Sequence, residues 1–448
     1  MARLFGTDGV RGIANEKLTS KLAYDLGRAG AYCLTNEIHS ARILIGKDTR
    51  GSGDMLESAM VAGICSAGAE AVVACTLPTS AIAYLTRHSG YDAGVVISAS
   101  HNTVEYNGIK FFNSNGYKLA DEIEDRIENI IMNDAEEIPQ PTGKKIGRRV
   151  RLKKAAQDYI DFVVETTDVN LDGLKIVLDC ANGAASEVAP WIFKLLGAEV
   201  IPYYNTPDGN NINENCGSTH PEQLSRLVSE LGADLGLAFD GDADRLIAVD
   251  EHGSIVDGDK IMAISAMDMK KRGVLKKDTV VTTVMSNMGM EVTLKENGIN
   301  MVRSDVGDRY VLEEMLKDGY NFGGEQSGHI IFLDHSTTGD GILSGVQLAA
   351  VMKREDKPLA RLARPVSIYP QVLVNAKVSD DKKHDYETDG MIASEIKKLE
   401  QEFHGEGRVL IRTSGTEPLV RVMIEGKDKD AITKHAVSMA KLIEARLK

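Results

Sequence analysis

The sequence predicts an α/β protein of three similar units followed by a smaller α+β segment, and three observations carry that reading. Apolar runs of strand length end in polar loops: RILIG precedes Lys47-Asp48-Thr49-Arg50, GVVIS precedes Ala99-Ser100-His101-Asn102, and KIVLD precedes Cys180-Ala181-Asn182-Gly183. The order strand, loop, helix recurs over 1–150, 151–255 and 256–368, although residue identity between these stretches is too low to prove a repeat. After 368 the order of elements changes, as in a small α+β domain. Length agrees, because 448 residues exceed one ordinary core and correspond to about three or four domains.

In chain order, Leu22, Leu26, Ala29 and Cys33 fall at helical spacing behind a cap at Thr19 or Ser20, and Met55 to Ala67 reads the same way. Alternation of such helices with short apolar strands predicts parallel sheets covered by helices. In the last segment, Val366 to Val378 reads as extended and Met391 to Phe403 as a helix. RVLIR and LVRVMIE read as strands, and a final helix starts near Asp430. The charged stretch Asp380 to Asp389 reads as a loop or the start of a helix and carries no visible chemistry. The boundaries are set at 1–150, 151–255, 256–368 and 369–448.

Composition narrows the function classes. With 52 Lys+Arg against 66 Asp+Glu, a net charge of -14 argues against nucleic-acid binding, which needs a basic footprint. A small anionic substrate stays open if cations cluster locally. The five cysteines, Cys33, Cys65, Cys75, Cys180 and Cys216, are scattered without a CxxC pair and read as reduced core thiols. The opening MARLFGTDGVRG lacks the apolar stretch of a signal peptide, and no run approaches a membrane span, which places the protein in the cytoplasm with no membrane partner.

Five motifs carry chemistry. Asp240-Gly241-Asp242-Ala243-Asp244-Arg245 follows LGLAF, so three carboxylates at alternate positions sit past a strand's end, where open α/β sheets place ligands. Hard cations such as magnesium take oxygen ligands of this kind, and an acidic turn is the alternative. Ser98-Ala99-Ser100-His101-Asn102 also follows a strand and leads to Lys110. A lone serine there is ordinarily a turn hydroxyl on a surface loop, and His101 alone is ordinarily a structural hydrogen-bonding group. Gly323-Gly324-Glu325-Gln326-Ser327-Gly328-His329 joins permissive backbone to the groups that grip sugar hydroxyls, against the alternative of a glycine-rich hairpin. Arg412-Thr413-Ser414-Gly415-Thr416-Glu417-Pro418, with Arg421 close behind, combines two guanidinium groups, two hydroxyls and backbone N–H groups able to enclose a phosphate. The fifth, Gly6-Thr7-Asp8-Gly9-Val10-Arg11-Gly12, is a glycine-rich loop with one cation.

In this order and spacing, GTDGVRG, SASHN, DGDADR, GGEQSGH and RTSGTEP resemble the α-D-phosphohexomutase superfamily over nearly the whole chain. GTDGVRG and the Gln of GGEQSGH look like its phosphoglucosamine mutase branch, with phosphomannomutase or phosphoglucomutase as the alternative. The resemblance implies a fold of three α/β domains with mixed sheets plus a C-terminal α+β domain around a central cleft. It implies that Ser100 carries a transferable phosphate, with Asp240, Asp242, Asp244 and Ser100 around magnesium. Arg245, Arg11, Lys110 and His101 would surround the phosphoryl group, while Glu325 and Ser327 bind sugar hydroxyls with His329 nearby. Arg412, Ser414, Gly415, Thr416 and Arg421 would hold the second phosphate.

The reaction so implied is an isomerisation of glucosamine 6-phosphate and glucosamine 1-phosphate through glucosamine 1,6-bisphosphate, with Lys110 and His329 shuttling a proton. The partner is a small phosphosugar, and a homodimer is left open. A non-catalytic sugar-phosphate sensor on the same fold is the rival from another class. One departure stands out: the family usually has proline after SHN, whereas Thr103 here is expected to loosen the loop.

Overall fold

The computed structural model describes residues 3–6, 8–34, 41–133, 138–413 and 418–448. Strands and helices form where the apolar periodicity places them. The first predicted helix runs Ser20–Leu34, with Thr19 Oγ1 accepting the Leu22 N–H at 3.1 Å, and it buries Ala23, Leu26, Ala29 and Cys33. It packs on Ser52–Ser66, where a Cβ on Gly63 would lie 2.1 Å from the Tyr24 carbonyl oxygen, so glycine sets how closely the two helices approach.

Four sheets result. The first has the order Val10–Ile13, Tyr106–Asn113, Ala93–Ile97, Arg42–Lys47, Glu70–Thr76, Arg149–Arg151. The second runs Ile255–Val256, Leu246–Asp250, Leu235–Phe239, Lys175–Asp179, Glu199–Tyr203. The third runs Asn300–Ser304, Thr279–Thr283, Phe322–Gly324, Ile330–Phe332. The fourth is antiparallel throughout: Gln371–Lys377, Leu419–Gly426, Gly407–Thr413.

The expectation of parallel sheets holds for one side of each of the first three sheets, out to the edge strands Arg149–Arg151, Glu199–Tyr203 and Asn300–Ser304, and fails on the other side. In each of the first three sheets a parallel strand is followed by an antiparallel neighbour: Ala93–Ile97 by Tyr106–Asn113, Leu235–Phe239 by Leu246–Asp250, and Phe322–Gly324 by Ile330–Phe332. A short connection between adjacent strands can only reverse direction, since a parallel return needs a crossover. SASHN, DGDADR and GEQSGH are therefore the same structural event, the loop at the end of that reversing pair, in three successive units. This topological equivalence supplies the internal repeat that residue identity leaves undecided.

Two compact units are formed: Met1–Met285 with Asn297–Pro365, and Ser286–Glu296 with Val366–Lys448. In the first, Ile43, Ile45, Val95, Ile97 and Ile109 from the six-stranded sheet share a core with Leu26, Leu56, Met60 and Ile64. Burying each such side chain contributes about 1.5–3 kcal/mol. In the second unit, Ile392 and Leu399 pack with Val420, Val422, Ile424, Ile432 and Ile443. The helix Met288–Glu296 joins this unit through its first turn, because Glu425 accepts the Met288 N–H at 2.8 Å and Asn287 exchanges two 2.9 Å bonds with the Tyr369 backbone. Among the described residues no helix is long and apolar enough to cross a membrane.

Candidate active site

The three acidic positions of DGDADR converge. Asp240, Asp242 and Asp244 are buried, and one ligand oxygen from each lies within 4.8 Å of the others. Their loop is shaped by its own backbone, with Ala243 in the left-handed region at φ 57° and the Arg245 N–H donating to Asp240 Oδ1 at 3.1 Å. Its neighbours fix it as well: the Thr79 N–H donates to the Asp242 carbonyl, and the Gly341 N–H to the Ala243 carbonyl, both at 3.0 Å. A Cβ on Gly241 would lie 2.6 Å from the Ser100 carbonyl oxygen, so only glycine lets the acidic loop and the serine loop touch.

Ser100 is buried, contrary to the surface loop expected for it, because the acidic loop covers it. Its hydroxyl donates to Asp240 Oδ2 at 2.6 Å and lies 3.2 Å from His101 Nδ1. Lys110, ten residues on in the antiparallel strand, donates to Asp242 Oδ2 at 2.8 Å and lies 3.5 Å from Asp244 Oδ2. His329 Nδ1 is 3.6 Å from that same Asp244 oxygen. Two distant motifs thus bring both proton-carrying candidates onto one carboxylate.

Charge burial dominates the electrostatics. Desolvation, then the charges of Asp244 and Asp242, push Asp240 well above the usual carboxylate range. Desolvation raises Asp244 too, but Lys110 and His329 outweigh it and hold that carboxyl well below its ordinary value. Burial pulls Lys110 down, and the three carboxylates of Asp242, Asp244 and Asp8 more than reverse this, so the amine stays an ammonium. His329 behaves similarly: burial lowers it, Asp244 and Asp308 raise it, and it ends pushed up to about 9. The Gly339 N–H donates to His329 Nε2 at 3.0 Å in the neutral ring; in the imidazolium that nitrogen donates instead to Asp308 Oδ2, 3.3 Å away, and the Gly339 bond is given up. His101 is driven down to about 4 by burial and by Arg245 and Arg11, so it is a neutral imidazole.

The triad fits a metal ion. Asp242 Oδ1 and Asp244 Oδ1 are buried with no hydrogen-bond partner among the described residues, an expensive arrangement for carboxylate oxygens unless a cation meets them. A cavity of about 370 Å³ opens beside it, lined in part by Ser100, Asp244, Arg245, Glu325, Ser327 and His329. Small-molecule sites begin at about this size. Glu325 is raised by burial, and Ser327 Oγ lies 3.5 Å from it. Arg11 reaches Asp8 at 3.1 Å.

Arg412 and Arg421 are directly opposed across two antiparallel strands of the second unit. Burial, then the charge of Arg421, lowers Arg412. Like charges directly opposed on neighbouring strands repel each other. Ser414, Gly415 and Thr416 lie outside the described residues.

Several site residues escaped the sequence reading. Thr79 donates to Asp242 Oδ2 at 2.6 Å. Lys118 bridges Asp8 at 2.6 Å and Asp308 at 2.7 Å, and Asp308 lies 3.3 Å from His329 Nε2. Asp48, Arg50 and Asn213 grip the serine loop. Asp8 and Asp48 stood within quoted stretches, and their charge in a loop was the available signal; Lys118 and Asp308 offered none.

In order along the chain, residues 2–138, 157–253 and 257–369 match the phosphoglucomutase/phosphomannomutase alpha/beta/alpha domains I, II and III, and 373–442 match the C-terminal domain. The chain belongs to the phosphoglucomutase/phosphomannomutase family. It is therefore an enzyme, an isomerase that moves a phosphoryl group on a sugar phosphate. It is 61% identical over 447 residues to the phosphoglucosamine mutase of Thermoanaerobacter sp. (strain X514), covering 100% of both chains. The fold is shared with a family protein of Burkholderia thailandensis, with a TM-score of 0.81, 24% identity and coverage of 99% of this chain and 97% of that one. It is also shared with the Aspergillus fumigatus N-acetylphosphoglucosamine mutase, solved with GlcNAc-6P and magnesium, at a TM-score of 0.69, 16% identity, and 99% and 96% coverage.

Proposed function

We propose that the enzyme interconverts glucosamine 6-phosphate and glucosamine 1-phosphate through a phosphorylated Ser100 and a glucosamine 1,6-bisphosphate intermediate. The observation that carries this is the Ser100 hydroxyl, 2.6 Å from Asp240 Oδ2, at the wall of a sugar-sized cavity. Near-complete alignment at 61% identity to a phosphoglucosamine mutase supports the choice of hexose. The four segments 1–150, 151–255, 256–368 and 369–448 would contribute the phosphoserine loop, the metal site, the sugar loop and the phosphate clamp.

Asp240, Asp242 and Asp244, with the Ser100 oxygen, would hold magnesium, which supplies neutralisation of charge on the transferring phosphoryl group. Arg245, which lines the cavity, and Arg11, paired with the cavity-lining Asp8, would add positive charge, and neutral His101 stays within reach of Ser100 Oγ. In the first transfer the bond from phosphorus to Ser100 Oγ breaks and a bond to the sugar oxygen forms. The Lys110 and His329 pair gives a proton to the serine oxygen and receives the one that the sugar hydroxyl loses. The second transfer runs in reverse with the other phosphate, returning phosphoserine. Glu325 and Ser327 hold sugar hydroxyls meanwhile, and Arg412 and Arg421, with Ser414, Gly415 and Thr416, hold the phosphate that is not reacting.

Comparing kcat/KM for glucosamine 6-phosphate, glucose 6-phosphate and mannose 6-phosphate tests the substrate. The amino sugar should be preferred at least tenfold. Preference for either neutral hexose would move the enzyme to the phosphoglucomutase or phosphomannomutase reading, and release of inorganic phosphate in place of isomer would make it a phosphatase.

A further inference from the structure

The serine loop holds its shape at a cost. Ser100 sits at φ 52°, a left-handed conformation that L residues other than glycine adopt only when their surroundings impose it. The carbonyls of Ser100, Asn102 and Thr103 all turn toward one guanidinium, that of Arg50. Its Nη2 donates to the Ser100 oxygen at 3.0 Å and to the Asn102 oxygen at 2.8 Å, and its Nη1 donates to the Thr103 oxygen. The Arg50 side chain is wholly buried, with Nε donating to Asp48 Oδ2 at 2.9 Å. That same Asp48 oxygen accepts the Ser98 hydroxyl at 2.7 Å, and Ser98 Oγ accepts the Ser100 N–H at 2.9 Å. From the neighbouring α/β segment, Asn213 Nδ2 donates to the Ser100 and Asn102 oxygens at 2.9 and 3.0 Å. Two N–H groups of Arg50 and two of Asn213 thus close a square on two carbonyl oxygens.

We propose that Arg50 and Asn213 are positioning residues for the phosphoryl-carrying serine: they pin its carbonyl inward so that its hydroxyl is aimed at the acidic triad and the cavity. The inference rests on Ser100 being the phosphoryl carrier. Three converging carbonyl dipoles repel one another, and without the clamp the loop relaxes toward negative φ at Ser100, swinging Oγ away from Asp240. Asn213 is itself at φ 58°, a left-handed conformation that asparagine adopts more readily than most residues.

The test compares Asn213→Ala and Arg50→Lys with the parent in the full-length, magnesium-loaded enzyme. Lysine keeps the charge and loses the planar fork that spans three acceptors. Asn213→Ala should keep its melting temperature within a few degrees and its KM for the phosphosugar within about threefold, and lose roughly 30-fold or more in kcat, in line with the sensitivity of transfer to small misplacements of the reacting group. Single-turnover transfer from the phosphoenzyme should slow by the same factor, and the phosphorus NMR line of phosphoserine should shift or broaden. Arg50→Lys should show the same split; if it does not fold, Asn213→Ala decides alone. Unchanged kcat, or a loss of kcat matched by a proportional loss of folded protein, would overturn the proposal. Should Ser100→Ala retain turnover, the phosphoserine reading itself fails, and that result is distinct from normal turnover in Asn213→Ala alone.

Discussion

Lys110 is buried between Asp242 and Asp244, and neither carboxylate is exposed enough for water to compensate it. Lys110→Met should cost about 3–5 kcal/mol, the penalty for leaving a buried charge without its counterpart. Because a divalent ion at the triad offsets the lost charge, denaturant unfolding should show a smaller deficit in magnesium than in chelator, with kcat depressed in both. His329 gives a pH dependence with a definite sign. Its folded-state pKa is raised to about 9 from an unfolded value near 6.5. The stabilisation it contributes is full below about pH 6.5 and is lost as pH rises through about 9, at most roughly 3 kcal/mol. In metal-free protein, His329→Gln should flatten the fall in unfolding free energy between those pH values. At this scale the sequence discloses what acts through its own neighbours. Three carboxylates two residues apart were visible as a cation site; the burial of Ser100 was not, because it depends on a loop some 140 residues away. Arg50 was equally hidden, since its function is to hold three carbonyls that only the fold collects.

The helices and strands of the last segment follow their caps and periodicity closely. The helix Lys429–Leu447 begins at Asp428, whose carboxylate accepts the Asp430 and Ala431 N–H groups at 2.9 and 3.1 Å. Asp428→Ala should lower the stability of this unit by about 1 kcal/mol, read as a shift in its denaturant midpoint. The opposed pair Arg412 and Arg421 makes a separate prediction. Inorganic phosphate should raise the melting temperature of the parent and not of Arg421→Ala, and that variant should show a raised KM and a lowered kcat. Equal phosphate stabilisation of both proteins would remove the clamp. Strand positions were legible from apolar runs ending at polar loops, whereas the reversal that places SASHN, DGDADR and GEQSGH at equivalent ends was not. Periodicity reports which face of a strand is buried and carries no information on its direction.

Across the first unit, backbone bonds tie the acidic loop to Thr79 on one side and Gly341 on the other, and the Ser100 hydroxyl bonds Asp240, so three successive α/β segments meet at this loop. Such a junction predicts cooperative loss of the metal site and the serine loop together: chelator should lower the unfolding midpoint of this unit, and Asp242→Ala should abolish that difference. That three α/β segments precede a different last one was readable from the recurring grammar of strand, loop and helix. Their mutual docking was not, because contacts such as Leu246 N–H to the Gly328 carbonyl at 3.0 Å join residues with no local relation. The central claim is that Ser100 carries the phosphoryl group between two oxygens of one sugar. Glucosamine 1,6-bisphosphate bearing a labelled phosphate should transfer label to Ser100, recoverable as phosphoserine from the peptide that contains it, and the label should then pass to monophosphosugar on further turnover. Turnover with the label never on the protein, or near-parental activity in Ser100→Ala, would contradict it.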